Sequence, residues 1–190
     1  MLRVTGADVR DWLERSASAF QRIIPGKRGQ MLLDPGFSSY NFDVLFGLSY
    51  SIDVSQPARY SADGEQCFPG PGRIRNLRFN GRDVDDADRF LVVTNSYRAA
   101  GGGHHPAAAR GEIVLQSPLA VRKLLADHIG EASPICPRSQ PTWRFAPLGG
   151  TRVLYETGPG AADHTANAAA LSLSPHGPGS NGFFRFELTL

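Results

Sequence analysis

The chain has 190 residues and 20.5 kDa, with 20 Lys+Arg against 18 Asp+Glu, a net charge of +2 and 41% hydrophobic residues. Folding at this size removes roughly 70% of the unfolded surface from water, which supports one sizeable core and excludes wholesale disorder. The arginines are scattered singly, so no stripe of charge tracks a nucleic-acid backbone, and no apolar run approaches the roughly 20 residues of a membrane helix.

The start, Met1 to Gly6, lacks the basic end and long apolar stretch of a signal peptide and lies inside a predicted strand. It reads as a piece of a longer protein. A helix follows, with Val9, Trp12, Leu13, Ala17, Phe20 and Ile24 at the three-and-four spacing of one buried face. Thr5 or Asp8 caps its start, and Pro25-Gly26 stops it. Residues 25–39 read as loop. From Asn41 to Val54 apolar residues alternate on one parity, which predicts one long strand or two with a break, and Gly47 marks a bend.

The Pro- and Gly-rich residues 55–72 are an exposed excursion. Arg73 to Phe79 alternates, and Asn80-Gly81 turns it, since this pair accepts positive φ at both central positions of a hairpin turn. Phe90 to Thr94 reads as a short buried strand, and Ile113 to Leu115 as another. A second helix is predicted next, with Ser117 as its cap, Pro118 in its first turn, Val121, Leu124, Leu125 and His128 on one face, and Gly130 at its end. Further strands fall at Trp143–Phe145, Val153–Tyr155 and Phe183–Leu190, with weak helical potential at Thr165–Leu171. Two helices, a possible third and seven or eight strands make a single α+β domain. Cys67 and Cys136 sit in separate loops, 69 positions apart, with no C-x-x-C. Spacing leaves two alternatives open, a disulfide or two inert thiols.

Little catalytic chemistry is visible. His104-His105 has no further ligand motif beside it, so solvated loop histidines are expected rather than a metal site. His128 reads as a buried, satisfied residue, and His164 and His176 carry no role. Asp83, Asp85, Asp86 and Asp88 form a solvated loop. No nucleophile elbow and no phosphate-cradling glycine loop with lysine occurs. One segment stands apart, Thr94 to Gly103, where a strand opens into polar residues, Tyr97 and the triple glycine Gly101-Gly102-Gly103. Glycines let backbone approach a ligand and a tyrosine face stacks on a planar ring, whereas the bland reading is a glycine turn with Tyr97 in the core.

Several motifs occur in one order: Val4-Thr5-Gly6 with Trp12-Leu13-Glu14, Tyr40 to Val44, Tyr50 to Tyr60, Arg75-Asn76-Leu77, Asn80-Gly81, Asn95-Ser96-Tyr97-Arg98-Ala99 and Trp143 to Pro147. Together they resemble the C-terminal domain of the 5'-nucleotidase family, in its periplasmic 2',3'-cyclic-nucleotide 2'-phosphodiesterase/3'-nucleotidase branch. The resemblance implies a layered α/β/β/α domain that binds the nucleoside. An N-terminal metallophosphoesterase domain, not contained in this chain, would hold two divalent metal ions and perform the hydrolysis.

It also implies that Tyr97 stacks on the base, opposite a second aromatic ring that would precede Met1. Gly101, Gly102 and Gly103 would line the pocket, with Gly47 near its floor. Arg110 falls near the position of a ribose-binding acid, and Glu112 is the nearest acid. No catalytic residue and no metal ligand are expected in the chain itself, and no membrane or nucleic-acid partner. An exported, periplasmic parent would favour the Cys67–Cys136 disulfide. The other reading is a stand-alone module that binds carbohydrate or peptide on the same fold.

Overall fold

A computed structural model describes residues 1–137 and 141–190. The chain opens as strand β1 (Leu2–Thr5) and passes directly into helix α1 (Gly6–Ala17). Thr5 and Asp8 share the cap. The Thr5 hydroxyl accepts from the Asp8 N–H while the Asp8 carboxylate accepts from the Thr5 N–H, which closes a capping box. The expected helix to Ile24 ends at Ala17 instead. Beyond it the backbone is extended and bonds elsewhere, Gln21 N–H to the Leu32 carbonyl and Ile23 N–H to that of Val54. Those tertiary bonds outcompete the helix, and Phe20 and Ile23 stay buried while Ile24 is exposed.

Three sheets follow. β1 lies between β6 (Arg89–Val92) and the short β7 (Glu112–Ile113). A four-stranded sheet orders β5 (Arg82–Asp83), β4 (Ile74–Phe79), β3 (Leu48–Ile52) and β8 (Trp143–Phe145). The other runs β10 (Leu173–Pro178), β11 (Phe184–Thr189), β9 (Arg152–Thr157) and β2 (Gln30–Met31). Short helices α2 (Ser96–Ala99), α3 (Pro106–Arg110) and α5 (Thr165–Ala170), with the longer α4 (Val121–Ala132), complete a single α+β domain.

The Asn80-Gly81 turn forms as expected, with φ of 51° and 80° at the two positions. The strand before it departs from strict alternation. Asn76 takes φ 52° and the pairing with β3 slips there, so Ile74 and Leu77 are buried three positions apart. An extra residue on one strand of the pair is a β-bulge, and it resets which face the side chains use. The long alternating strand is also shorter than its pattern. Only Leu48 to Ile52 pairs, because a 3-10 turn at Ser39–Asn41 and Gly47 at φ 90° break the chain before it. Phe46, on the apolar parity, is exposed.

Two further elements differ in their surroundings. Phe90 to Thr94 is not a buried strand, since Leu91 and Val93 point to solvent from a sheet covered on one side only. Helix α4 begins at Val121 without a side-chain cap and includes Gly130. Its apolar residues Val121, Leu124, Leu125 and Ile129 are all exposed, and so is His128, which was expected to be buried. Periodicity defines the helix there, but nothing among the described residues covers its face. Cys67 and Cys136 are both exposed and unbonded.

The core is built from Leu2, Val9, Trp12, Leu13, Ile52, Val54, Val84 and Val153, with Phe42, Trp143 and Phe145 packed against it. Phe20 meets Phe42 and Phe145 edge-on, with ring centroids 5.5 and 5.0 Å apart. These rings line an apolar cleft of about 780 Å³ that extends to Tyr155, Leu171 and Leu188.

Candidate functional site

Asn95 ends the extended run after β6 and caps α2, its side-chain oxygen accepting from the Arg98 N–H at 2.7 Å. The four-residue helix that results holds two neighbouring side chains of very different exposure. Tyr97 faces solvent at 56% exposure, so the core reading of this residue does not hold. Arg98 is buried, and its guanidinium carbon lies 5.6 Å from the centre of the Tyr97 ring.

Directly after α2 the glycine loop turns back and sets Gly102 against that ring. Gly102 N–H donates to the Tyr97 carbonyl at 2.9 Å, and Gly101 N–H to that of Arg98. A Cβ on Gly102 would stand 2.6 Å from the tyrosine ring, and one on Gly103 would collide with Asn41 and Arg98. The loop therefore requires glycine for closeness at 102 and 103, and at 103 for its φ of 72° as well. Of the three glycines, Gly102 lies against the Tyr97 ring.

Two buried arginines fix this loop from below. Arg98 forms an ion pair with Asp43, its Nη2 donating to Oδ1 at 2.8 Å and its Nε 2.7 Å from Oδ2, and it also donates to the Gly102 carbonyl. Arg15, from the last turn of α1, donates to the carbonyls of Gly103 and His104 at 3.2 and 3.0 Å, and to Ser61 and Ala62 of the neighbouring excursion. The Phe37 ring covers it at 4.8 Å. Neither arginine, nor Asn41 and Asp43, stands out by residue type. The only signal was position, since Asn41 to Asp43 and Arg98 lie inside the motifs that carry the resemblance.

His105 corrects another expectation. It is fully buried rather than a solvated loop residue, its Nε2 3.1 Å from the Asn41 carbonyl and its ring 6.0 Å from that of Trp12. Burial pushes its pKa down to about 4, although Asp43, 3.9 Å away, pulls the other way. Its neighbour His104 is exposed. Among the described residues no group of three or more His, Cys, Asp or Glu is placed to hold a metal ion. The donor set for two divalent ions does not fit here.

The remaining candidates make contacts of their own. A Cβ on Gly47 would meet the Phe79 ring at 3.8 Å. Glu112 pairs with Arg3 at 2.6 Å on the three-stranded sheet. Arg110 pairs with Asp8 and Asp11 at 3.3 and 2.8 Å beside the start of α1. Of the acidic cluster, Asp83 pairs with Arg78 across the hairpin, and Asp88 pairs with Arg82 beyond its turn.

Residues 1–110 match the family 5'-nucleotidase, C-terminal domain. A trifunctional nucleotide phosphoesterase protein, YfkN, from Bacillus subtilis is 41% identical over 158 residues, 83% of this chain and 11% of that protein. The 2',3'-cyclic-nucleotide 2'-phosphodiesterase/3'-nucleotidase of Salmonella typhimurium is 41% identical over 169 residues, covering 84% of this chain and 26% of its own length. Its counterpart from Haemophilus influenzae is 35% identical across 100% of this chain and 30% of the relative. The chain thus spans less than a third of these relatives. A crystal structure from Staphylococcus aureus, assigned as a 5'-nucleotidase, superposes with a TM-score of 0.60 over 76% of this chain and 26% of that one, at 24% identity. The likeness at that identity is one of fold.

Proposed function

The chain belongs to the 5'-nucleotidase C-terminal domain family, and on that premise we propose that it is the nucleoside-recognition domain of a larger phosphohydrolase. One observation carries this reading: an exposed tyrosine ring laid over a glycine loop, with buried charges fixing both from beneath. An aromatic face held in this way stacks on a base without using its hydroxyl. The names of the relatives point to 2',3'-cyclic nucleotides and 3'-nucleotides as substrates of the parent. Hydrolysis would belong to an N-terminal metallophosphoesterase domain with two divalent ions, and export to the periplasm would suit nucleotide scavenging. In this reading Gly101 to Gly103 border the base, while Gly47 and Glu112 act only if the ligand reaches beyond the contacts seen around Tyr97.

Two expected results test it. The chain by itself should hydrolyse none of 2',3'-cyclic AMP, 3'-AMP or 5'-AMP, with Mn²⁺, Zn²⁺ or Co²⁺ supplied, since a two-metal site needs several ligands across ions about 3.5–4 Å apart. Turnover that survives repurification and disappears when His104 and His105 are both replaced would contradict this.

The second concerns Tyr97. In the parent, Tyr97→Phe should change little, whereas Tyr97→Ala should raise KM roughly ten- to hundredfold, the loss of one base stack of about 1–3 kcal/mol. Because the contact is remote from the phosphate, kcat should hold. The exposed ring contributes little packing, so the melting temperature of Tyr97→Ala should stay near that of the wild type. An unchanged KM would remove Tyr97 from the site.

A further inference from the structure

Tyr97 owes its place to its neighbour. A helix of one turn such as α2 has too few internal hydrogen bonds to hold a geometry of its own. What holds it is Arg98. Besides its hydrogen bond and second ion-pair contact to Asp43 and its bond to the Gly102 carbonyl, that guanidinium reaches Asn41 Oδ1 at 3.5 Å and the Tyr40 carbonyl at 3.4 Å. Asp43 is anchored in turn to α1, where Trp12 Nε1 donates to its carboxylate at 2.8 Å and its own N–H donates to Ser16 Oγ at 3.1 Å. A continuous path therefore runs from the buried face of α1 through Asp43 and Arg98 to both the tyrosine and the glycine beneath it.

We propose that Asp43 and Arg98 are positioning residues for the ligand site at Tyr97, setting the ring against Gly102 without touching ligand themselves. The inference rests on the reading of Tyr97 as a stacking surface. A bidentate carboxylate–guanidinium pair is directional, so it fixes orientation as well as proximity. Asp43 is partly buried and Arg98 buried, and pairs withdrawn from water return little net stability against the cost of desolvation, which makes geometry their more natural contribution. Lysine at 98 keeps the charge but loses the fork. Asparagine at 43 keeps one acceptor and loses the charge.

The test uses the whole chain with its five tyrosines ring-labelled for NMR and adenosine as the probe. In the wild type the Tyr97 signal should move on adenosine addition, with a dissociation constant of about a millimolar or weaker. In Asp43→Asn the signals of buried Tyr50 and Tyr60 should stay in place, reporting an intact core. The Tyr97 signal should shift and broaden before any ligand is added, and adenosine should bind about fivefold more weakly or worse. Arg98→Lys should behave alike and serves if Asp43→Asn does not fold. A folded variant whose Tyr97 signal and affinity match the wild type within about twofold overturns the proposal. So does failure of both variants to fold, which would assign the pair to stability alone. A wild-type Tyr97 signal indifferent to adenosine would instead bring down the nucleoside reading itself, and this inference with it.

Discussion

Replacing Arg15 by alanine is expected to cost the fold about 4 kcal/mol or more, a large part of the roughly 5–15 kcal/mol that holds a domain together. Arg15 is fully buried, and its guanidinium donates to four carbonyls, those of Ser61, Ala62, Gly103 and His104. Burial, followed by the like charge of Arg98, lowers its pKa, yet arginine stays protonated at neutral pH. Alanine would take the Arg15 donor from the carbonyls of Ala62, Gly103 and His104, while Ser61 keeps the Gly64 N–H, and would open a cavity beside Phe37. Each effect is costly, because an unpaired buried acceptor forfeits its hydration with nothing in return. At about 2–4 °C per kcal/mol for a domain of this size, the melting temperature should fall by roughly 10 °C. Arg15→Lys should fall in between, since one ammonium group cannot reach carbonyls on two loops at once. Thermal melts followed by circular dichroism decide it, and an alanine variant melting within about 3 °C of the wild type would contradict the account.

The arginines show where reading from sequence stops. Helix α1 announces its start through Thr5 and Asp8 and its inner face through Val9, Trp12 and Leu13, all of which the structure places as expected. Yet Glu14, Arg15 and Ser16 are buried as well, because the helix ends inside the protein between the strand that begins at Ile74 and the two loops Arg15 joins. Amphipathic spacing assigns charged residues to solvent, so a helix whose second half, Trp12 to Ala17, is enclosed is invisible to it. The same logic explains His105, which looked like a loop residue until Asn41 and Trp12 closed over it.

Local chemistry reads more reliably than periodicity elsewhere. Asn80-Gly81 makes its turn, whereas the alternation from Asn41 to Phe46 yields no strand because backbone pairing has to agree as well. Strand β10 was hidden for the opposite reason. It carries Pro175, Gly177 and Pro178, which an outer strand tolerates with a bulge but a central one would not. Within the candidate site, Tyr97 and the glycines were legible as an unusual cluster. The ion pair that holds them was not, since Asp43 and Arg98 are 55 positions apart.

Stability should fall as the pH drops from 7 to 5, and His105 should account for that fall. The ring is neutral in the folded chain, with Nε2–H donating to the Asn41 carbonyl and Nδ1 buried without a hydrogen-bond partner among the described residues. Charging it would place a cation beside Arg98 and Arg15, which burial and both guanidiniums oppose more than Asp43 favours. The folded pKa is therefore about 4 against 6.5 for an unperturbed histidine. Between those values the unfolded chain binds more protons than the folded one, so acid favours unfolding. The contribution is fully present above pH 6.5 and is lost progressively as the pH falls toward 4. Linkage puts the loss between pH 7 and 5 at about 2 kcal/mol. Carboxylates held low by their partners, among them Asp8 and Glu156, titrate in the unfolded chain near 3.8 and 4.5, so their effect lies at lower pH. His105→Gln keeps an amide donor for Asn41 and cannot titrate. Urea melts of both proteins should show the slope in the wild type and its near disappearance in the variant. A wild-type stability that is flat across this range, or a slope that survives unchanged in His105→Gln, would mean that His105 is already accommodated in its charged form.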